Sequence, residues 1–438
     1  MRVKLVFFAL CLATGAFGKI GFGPGEQEWG YVTVRPNAHM FWWLYYTTAK
    51  VNISYYEKPL LIWLQGGPGA SSTGYGNFEE LGPLDLHLNY RNYTWVKDYN
   101  ILFIDNPIGA GFSFSTTLSG FPKTNAQIAA DLLECIRSFL LEFPDFASVP
   151  TYITAESYGG KMAAEFANVW YQAQKNGSIK SNLKGVAMGD SWISPIDSVM
   201  TWADYLLNMG MVDQNGHDKI QARANLTKKA VDNEKWFIAT NLWSLTESAI
   251  YRVTNNIDFY NILYKKRPNE ILEDRSAKDK LLKVDFSTGL DEDSDELLDE
   301  LMNGAVKKAL GLQVAWGSQS SMIFDLLQVD FMKPVTDQVE SLLNNTDLTV
   351  LVFTGQLDLI VDTPGTLLWV ERLKWRNASD WKSASRDPLI VDNVIEGYIK
   401  QYGNLKMYWI DRSGHMVPTD NPEATEAMLA DLTRNAWD

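Results

Sequence analysis

Six short apolar runs constrain this chain more than any other feature of its sequence. They are KPLLIWLQ at 58–65, ILFIDNP at 101–107, TYITAES at 151–157, LKGVAMGDS at 183–191, LTVLVFTG at 348–355 and LKMYWIDRSG at 405–414. Runs this short and this continuously apolar read as strands buried on both faces. Between the second and third lies an amphipathic helical pattern, NAQIAADLLECIRSFLLEF at 125–143, and after the third comes another, KMAAEFANVWYQA at 161–173. Strand and helix in alternation imply a parallel sheet covered by helices. Upstream, EWGYVTVRPNAHMFWWLYYT at 28–47 has the length and aromatic alternation of an antiparallel hairpin. The expected class is therefore α/β, with a mixed, mostly parallel central sheet.

After Pro195 the rhythm changes. Residues 196–347 are mostly helical in pattern and more charged, and no strand series returns until Leu348. This block reads as a helical cap inserted between two parts of the core, 19–195 and 348–438; insertions after core strands sit at the active-site end of such sheets. Its acidic run, DEDSDELLDEL at 291–301, reads as a solvated helix face.

The first 18 residues, MRVKLVFFALCLATGAFG, start basic, continue apolar and end small. That is the pattern of a secretory signal peptide. No later apolar run nears the roughly 20 residues that span a bilayer, so a product without a membrane span, secreted or lysosomal, is expected. Six sequons, at Asn52, Asn92, Asn176, Asn225, Asn344 and Asn377, agree with that route. Removing the leader takes Cys11 with it and leaves Cys135, on the apolar face of Ile128, Leu132, Ile136 and Phe139, as a buried inert thiol. A formal charge of -14 argues against nucleic acid as a partner, which needs clustered Lys and Arg. No metal-ligand cluster appears, and no cofactor is expected.

Ser157 falls in AESYGG, between a strand and a helix, where a nucleophile elbow would expose its hydroxyl above the sheet. The usual GxSxG has Ala155 in place of its first glycine. A serine needs a base, and the base a carboxylate to fix its tautomer. Of the four histidines, His39 and His87 precede Ser157, and His217 lies in the polar context NGHDK, which reads as solvated. His415, in RSGHMVPTDNP after the last apolar run, is the candidate base. For the carboxylate, TGQLDLIVD offers Asp358 first beyond the strand and Asp362 as the alternative. The oxyanion needs backbone donors: the N–H of Tyr158 and one from the glycine-rich loop LQGGPGASSTG, assigned to Gly67. That loop lacks the Lys of a phosphate-binding GxxxxGK[ST].

Taken together, WLQGGPGASS, FEELGPL, DNPIGAGFSF, AESYGG, GDSWISP, GQLD and GHMVPTDNP resemble the serine carboxypeptidases along nearly the whole chain after the leader, most closely their retinoid-inducible branch. The resemblance implies an α/β-hydrolase fold and removal of one residue from the C-terminus of a peptide, best at acidic pH. It implies Ser157 as nucleophile, His415 as base and acid, and Asp358 as its orienting carboxylate. It further implies that Trp63, Gln65, Glu80 and Glu156 grip the substrate's terminal carboxylate. Two glutamates cannot hold a third carboxylate while both are ionised, so one of them must be protonated, and the grip should fail as that proton leaves. Several positions depart from the family: Gln65 stands where many members have Asn, Ala70 where many have Cys, and Asn106 and Asp362 also differ. The expected partners are peptides with a free C-terminus. The resemblance leaves a homodimer open, and also two other roles: acyl transfer by the same triad, and binding without turnover.

Overall fold

The computed structural model describes residues 18–264 and 292–437. The leader expected at 1–18, apart from Gly18, lies outside the described residues, as does 265–291 of the block expected as a cap. Each of the six apolar runs is a strand. β1 (Gln27–Arg35) and β2 (Ala38–Tyr45) form the antiparallel hairpin. They are followed by β3 (Leu60–Leu64), β4 (Asn100–Ile104), β5 (Phe114–Ser115), β6 (Thr151–Glu156), β7 (Leu183–Gly189) and β8 (Thr349–Gly355). After β8 come β9 (Asp387–Val391), β10 (Val394–Tyr402) and β11 (Leu405–Ile410). The sheet order is β1-β2-β4-β3-β6-β7-β8-β11-β10-β9, with β5 paired to β2. Every pairing from β4 through β11 is parallel.

Alternation along the strands divides the core into two layers. Leu60, Ile62 and Leu64 of β3 pack with Leu102, Ile104, Ile153 and Ala155 on one face. Leu61 and Trp63 pack with Ile101, Phe103 and Tyr152 on the other. Burying one such side chain contributes about 1.5–3 kcal/mol, so a one-residue slip in register would exchange every side chain between faces and is strongly disfavoured. The same alternation carries Gln65 and Glu156, one residue past β3 and at the end of β6, to the face of Trp63 and Tyr152.

On the first face lie α1 (Asn125–Glu142) and α2 (Tyr158–Lys175). The Thr124 side chain caps α1 by accepting from the Gln127 N–H, and the helix stops before Pro144. Cys135 is fully buried in its apolar stripe, and burial pushes its thiol well up, which suits an inert group. Between β7 and β8 the described residues form α3 (Pro195–Asn208), α4 (Gln214–Asp232), α5 (Trp236–Thr254) and further helices at Glu292–Leu301, Ser321–Phe331 and Thr336–Asn345. α3 is fastened to the helix Thr363–Arg372 by a two-pronged pair, Arg372 to Asp197 at 2.7 and 2.5 Å.

One expectation needs correction, and one element was not foreseen. The acidic run is not simply a wet face: Leu298 is fully buried, and Asp295 accepts the Tyr75 hydroxyl at 2.9 Å, tying this helix to the π-helical segment Ser72–Leu81. The hairpin β9–β10 was not anticipated at all. Its strands are half-exposed and mix polar with apolar residues, so they carry no buried-strand signal. The usable cue was the turn Asp392–Asn393, with φ of 49° and 66°, a conformation that Asp and Asn tolerate.

Candidate active site

Ser157 closes β6 and opens α2 with φ 60° and ψ -129°. A non-glycine residue there costs about 1–3 kcal/mol, and the surroundings hold it in place. Its N–H donates to the Gly189 carbonyl at 2.9 Å, and its carbonyl accepts from Gly160 at 3.1 Å and Trp192 at 2.9 Å. Small residues make the corner fit. A Cβ on Gly66 would stand 2.6 Å from the Ser157 Cβ, and one on Gly159 would stand 2.3 Å from the Leu64 carbonyl oxygen. Ala155, the departure from GxSxG, is fully buried in the sheet core.

His415 follows β11 and Asp358 follows β8, so both stand at the same end of the parallel strands as Ser157. The His415 Nδ1–H donates to Asp358 Oδ2 at 2.8 Å, and both residues are almost wholly buried. Burial lowers the imidazole below its usual value, opposed by the carboxyls of Asp190 and Glu80. Burial pushes Asp358 well up, opposed by the N–H groups of Val361 and Ile360 and by the Asp190 carboxyl. The alternative, Asp362, does not meet His415: its Oδ1 accepts the Thr201 hydroxyl at 2.8 Å at the head of the helix Thr363–Arg372. His217 stands at the surface, its ring nitrogens facing the exposed carboxylates of Asp204 at 3.0 Å and Asp218 at 2.9 Å.

A segment that composition does not flag fastens both loops. The Phe259 carbonyl accepts from Leu359 and Ile360, each at 3.0 Å, and the Tyr260 carbonyl accepts from the His415 N–H at 2.7 Å. The Tyr260 ring meets the imidazole edge-on at 4.9 Å.

Trp63, Gln65, Glu80 and Glu156 form one continuous buried chain. Trp63 Nε1–H donates to Gln65 Oε1 at 2.7 Å. Gln65 Nε2 donates to Glu80 Oε1 at 2.9 Å and to Glu156 Oε1 at 3.2 Å. The two carboxyls also bond to each other. Burial pushes both up, Glu156 far above the usual range, with the Glu80 charge adding to it, so Glu156 is the partner that holds the proton. Both amide protons of Gln65 are thus committed within the chain, and the longer side chain turns its donors toward the glutamates.

Tyr158 stands first in α2, where helix N–H groups have no acceptor within the helix. Gly67 has φ 108°, a conformation only glycine adopts freely. A strap crosses its loop: Ser71 N–H donates to the Ser318 carbonyl at 3.1 Å, Ser320 N–H to Gly69 at 3.3 Å, and Ala70 bridges Gln319. Beneath it, Asp105 accepts from Ser71 Oγ at 2.7 Å, Thr73 N at 3.0 Å and Phe112 N at 2.8 Å. Asn106, fully buried, donates Nδ2 to Met162 Sδ at 3.1 Å. One turn beyond Ser157, buried Lys161 donates to the Asp330 and Lys333 carbonyls, the latter at 2.8 Å, and burial lowers its pKa to about 8. Ser71 stands in WLQGGPGASS and Asp105 and Asn106 in DNPIGAGFSF, but each of these supports draws a partner from far away in the chain.

Four sequon asparagines, Asn52, Asn92, Asn176 and Asn225, are exposed. Asn344 is half-buried, its carboxamide donating to the Lys374 carbonyl and accepting from Arg376 N–H at 3.0 and 2.9 Å. Asn377 is also half-buried, with its amide against Gly403.

The buried acids make stability depend on pH. Glu156, Asp190, Glu247 and Asp362 are all pushed well above their usual values, burial first among the causes. A carboxyl whose folded pKa exceeds its unfolded value keeps the folded state proton-rich, so its contribution is complete below about pH 4 and lost as pH rises through the folded value. The urea midpoint is therefore expected to be higher at pH 4.5 than at pH 7.5; the reverse order would contradict this account of the buried acids.

Residues 20–435 match the family described as serine carboxypeptidase. The chain is 42% identical over 451 residues to the retinoid-inducible serine carboxypeptidase of Mus musculus, covering 99% of this chain and 98% of the relative. It is 41% identical to the protein of the same name from Homo sapiens, covering 94% and 92%. Among solved structures, Kex1(delta)p, a prohormone-processing carboxypeptidase from Saccharomyces cerevisiae, superposes with a TM-score of 0.78 at 18% identity, over 94% of this chain and 92% of that one. The fold is that of an α/β-hydrolase.

Proposed function

The chain belongs to the serine carboxypeptidase family and is a serine-type carboxypeptidase; from that premise we propose that it removes single C-terminal residues through an acyl-enzyme formed on Ser157, preferring acidic pH. The observation that carries this reading is the contact of Glu156 with Glu80 and Gln65, because Glu156 directly precedes Ser157. Consecutive Cα atoms are about 3.8 Å apart. A group that binds the terminal carboxylate is thus one residue from the group that attacks, which sets the scissile bond one residue from the end.

In this mechanism His415 Nε2 takes the Ser157 hydroxyl proton as Oγ attacks the scissile carbonyl carbon. The oxyanion lies against the N–H groups of Tyr158 and Gly67. As the C–N bond breaks, the imidazolium gives its proton to the leaving nitrogen, and the terminal amino acid departs. Water, deprotonated by His415, then attacks the ester, and Ser157 recovers its proton as the acid product leaves. Asp358 holds the Nδ1–H tautomer throughout. Lys161 keeps the start of α2 docked to the helix Ser321–Phe331. Passage through the secretory pathway, to the exterior or the lysosome, is supported by the basic-then-apolar leader and the four exposed sequons.

The pH window follows from the directions of the shifts. Glu156 keeps its proton above the usual range of about 4.3, and His415 stays neutral below its usual 6.5 or so. Both displacements favour the acid side, so kcat/KM is expected to fall as pH rises through the raised value of the glutamate pair. Release of the terminal amino acid from a blocked dipeptide, compared with release from its C-terminal amide between pH 4 and 8, tests the reading. The free acid should be preferred by about 10- to 100-fold, with the preference fading toward pH 8 and Glu156→Gln flattening that decline. Equal cleavage of both substrates would refute the carboxylate grip.

A further inference from the structure

Asp190 lies in the GDSW stretch just beyond β7, fully buried and with φ 40°, a backbone state that an aspartate holds only where its surroundings fix it. Its N–H donates to the Phe353 carbonyl at 2.9 Å, and its Oδ1 accepts from the Gly355 N–H at 2.9 Å, so it is stitched to the strand end that carries Asp358. Among the described residues its Oδ2 is buried with no N–H or O–H donor, and its carboxyl faces that of Asp358 within hydrogen-bonding reach. Two carboxyl oxygens can bond only through a proton between them. Asp358 has the better claim to the negative charge, since it also accepts from His415, Val361 and Ile360, whereas among the described residues the Asp190 carboxyl accepts one N–H, that of Gly355.

The groups facing this pair come from every element packed on it: Glu156 from β6, Tyr205 from α3, Asp258 from the segment after α5, Asp362 after β8 and His415 after β11. Glu80, from the Ser72–Leu81 segment, also acts on His415. Of these only His415 can bear positive charge; it and the Gly355 N–H favour ionising Asp190, and burial and the Asp358 carboxyl oppose them.

We infer that Asp190 is a positioning residue: it stays protonated in the working enzyme and donates through Oδ2 to Asp358, drawing charge from that carboxylate so that His415 remains a free base at acidic pH. The inference rests on the assignment of Asp358 and His415 to the triad and adds a fourth member behind it. Asparagine at position 190 would keep a donor, tolerate the positive φ and abolish the titration.

The first readout is the infrared difference spectrum of resting protein against Asp190→Asn, in which the C=O stretch of one protonated carboxylic acid should vanish at pH 6. The second is the kcat/KM profile: an amide is a weaker donor than an acid, so the acid limb should move toward neutral by about half a pH unit, with kcat at the plateau within about threefold. Asp190→Ala removes the donor and should lower kcat about 10- to 100-fold with little change in KM; should it not fold, the asparagine variant alone decides. An unchanged carboxylic-acid band, or an acid limb that does not move, overturns the inference. The band is read without turnover. Its loss in a protein whose activity does not depend on Ser157 would therefore count against the triad assignment and leave the shared proton standing, whereas its retention in a Ser157-dependent enzyme would count against the shared proton alone.

Discussion

Ser157→Ala is expected to lower kcat by about 10⁴- to 10⁶-fold while leaving substrate affinity and thermal stability close to those of the parent. In the proposed mechanism Oγ is the atom that forms the acyl bond, so its removal leaves no nucleophile in place. The hydroxyls of Thr154 and Ser191 are buried and already donate, to the Ile62 carbonyl at 2.7 Å and the Gly189 carbonyl at 2.9 Å. The backbone of the elbow is fixed by main-chain bonds to Gly189, Gly160 and Trp192, none of which uses the side chain. Single-turnover release of the C-terminal residue, with the urea midpoint as a folding control, measures both halves. A well-folded alanine variant retaining more than about one-tenth of the parent rate would remove Ser157 from the mechanism.

Asp358→Asn should cost about 10⁴-fold in kcat, whereas Asp362→Asn should leave the rate within about tenfold and appear chiefly as lost stability. The two acids lie four positions apart and are both fully buried. Only Asp358 faces the imidazole, at 2.8 Å; an amide there would offer N–H to Nδ1, hold the wrong tautomer and leave the imidazolium without a counter-charge. Asp362 serves the start of the helix Thr363–Arg372 and the Thr201 hydroxyl. Steady-state kinetics and denaturation of the two variants side by side distinguish them. Equal loss of rate in both, with unchanged stability, would mean that the carboxylate is assigned to the wrong residue.

The buried part of the sheet was legible because its strands are apolar on both faces, and runs as short and as rich in β-branched and aromatic residues as LTVLVFTG or TYITAES favour strands over buried helix. The elbow was legible from the same rule applied at a strand end, since Ser157 interrupts an apolar run just where a helical pattern begins. The edge hairpin β9–β10 escaped because Ile390, Val394 and Ile395 remain exposed there, and half-wet strands carry a weaker signal. Asp190 was quoted as part of a motif without a role, because its importance lies in facing Asp358, which is 168 positions further along the chain.

The sequence by itself determined which residues are apolar at which period, and hence the strands, their buried faces and the chemical groups at their ends. It also fixed the order of serine, carboxylate and histidine. Tertiary structure set Asp358, the carboxylate the sequence placed first, against His415 and Asp362 against Thr201, turned both Gln65 amide protons to the glutamates, and drew Lys161, Asp105 and the Phe259–Tyr260 carbonyls in as supports. The physical reason is one of range. Periodicity and turn chemistry act between neighbours in the chain, whereas a hydrogen bond of 2.8 Å or a shared proton depends on where distant segments meet in the folded protein.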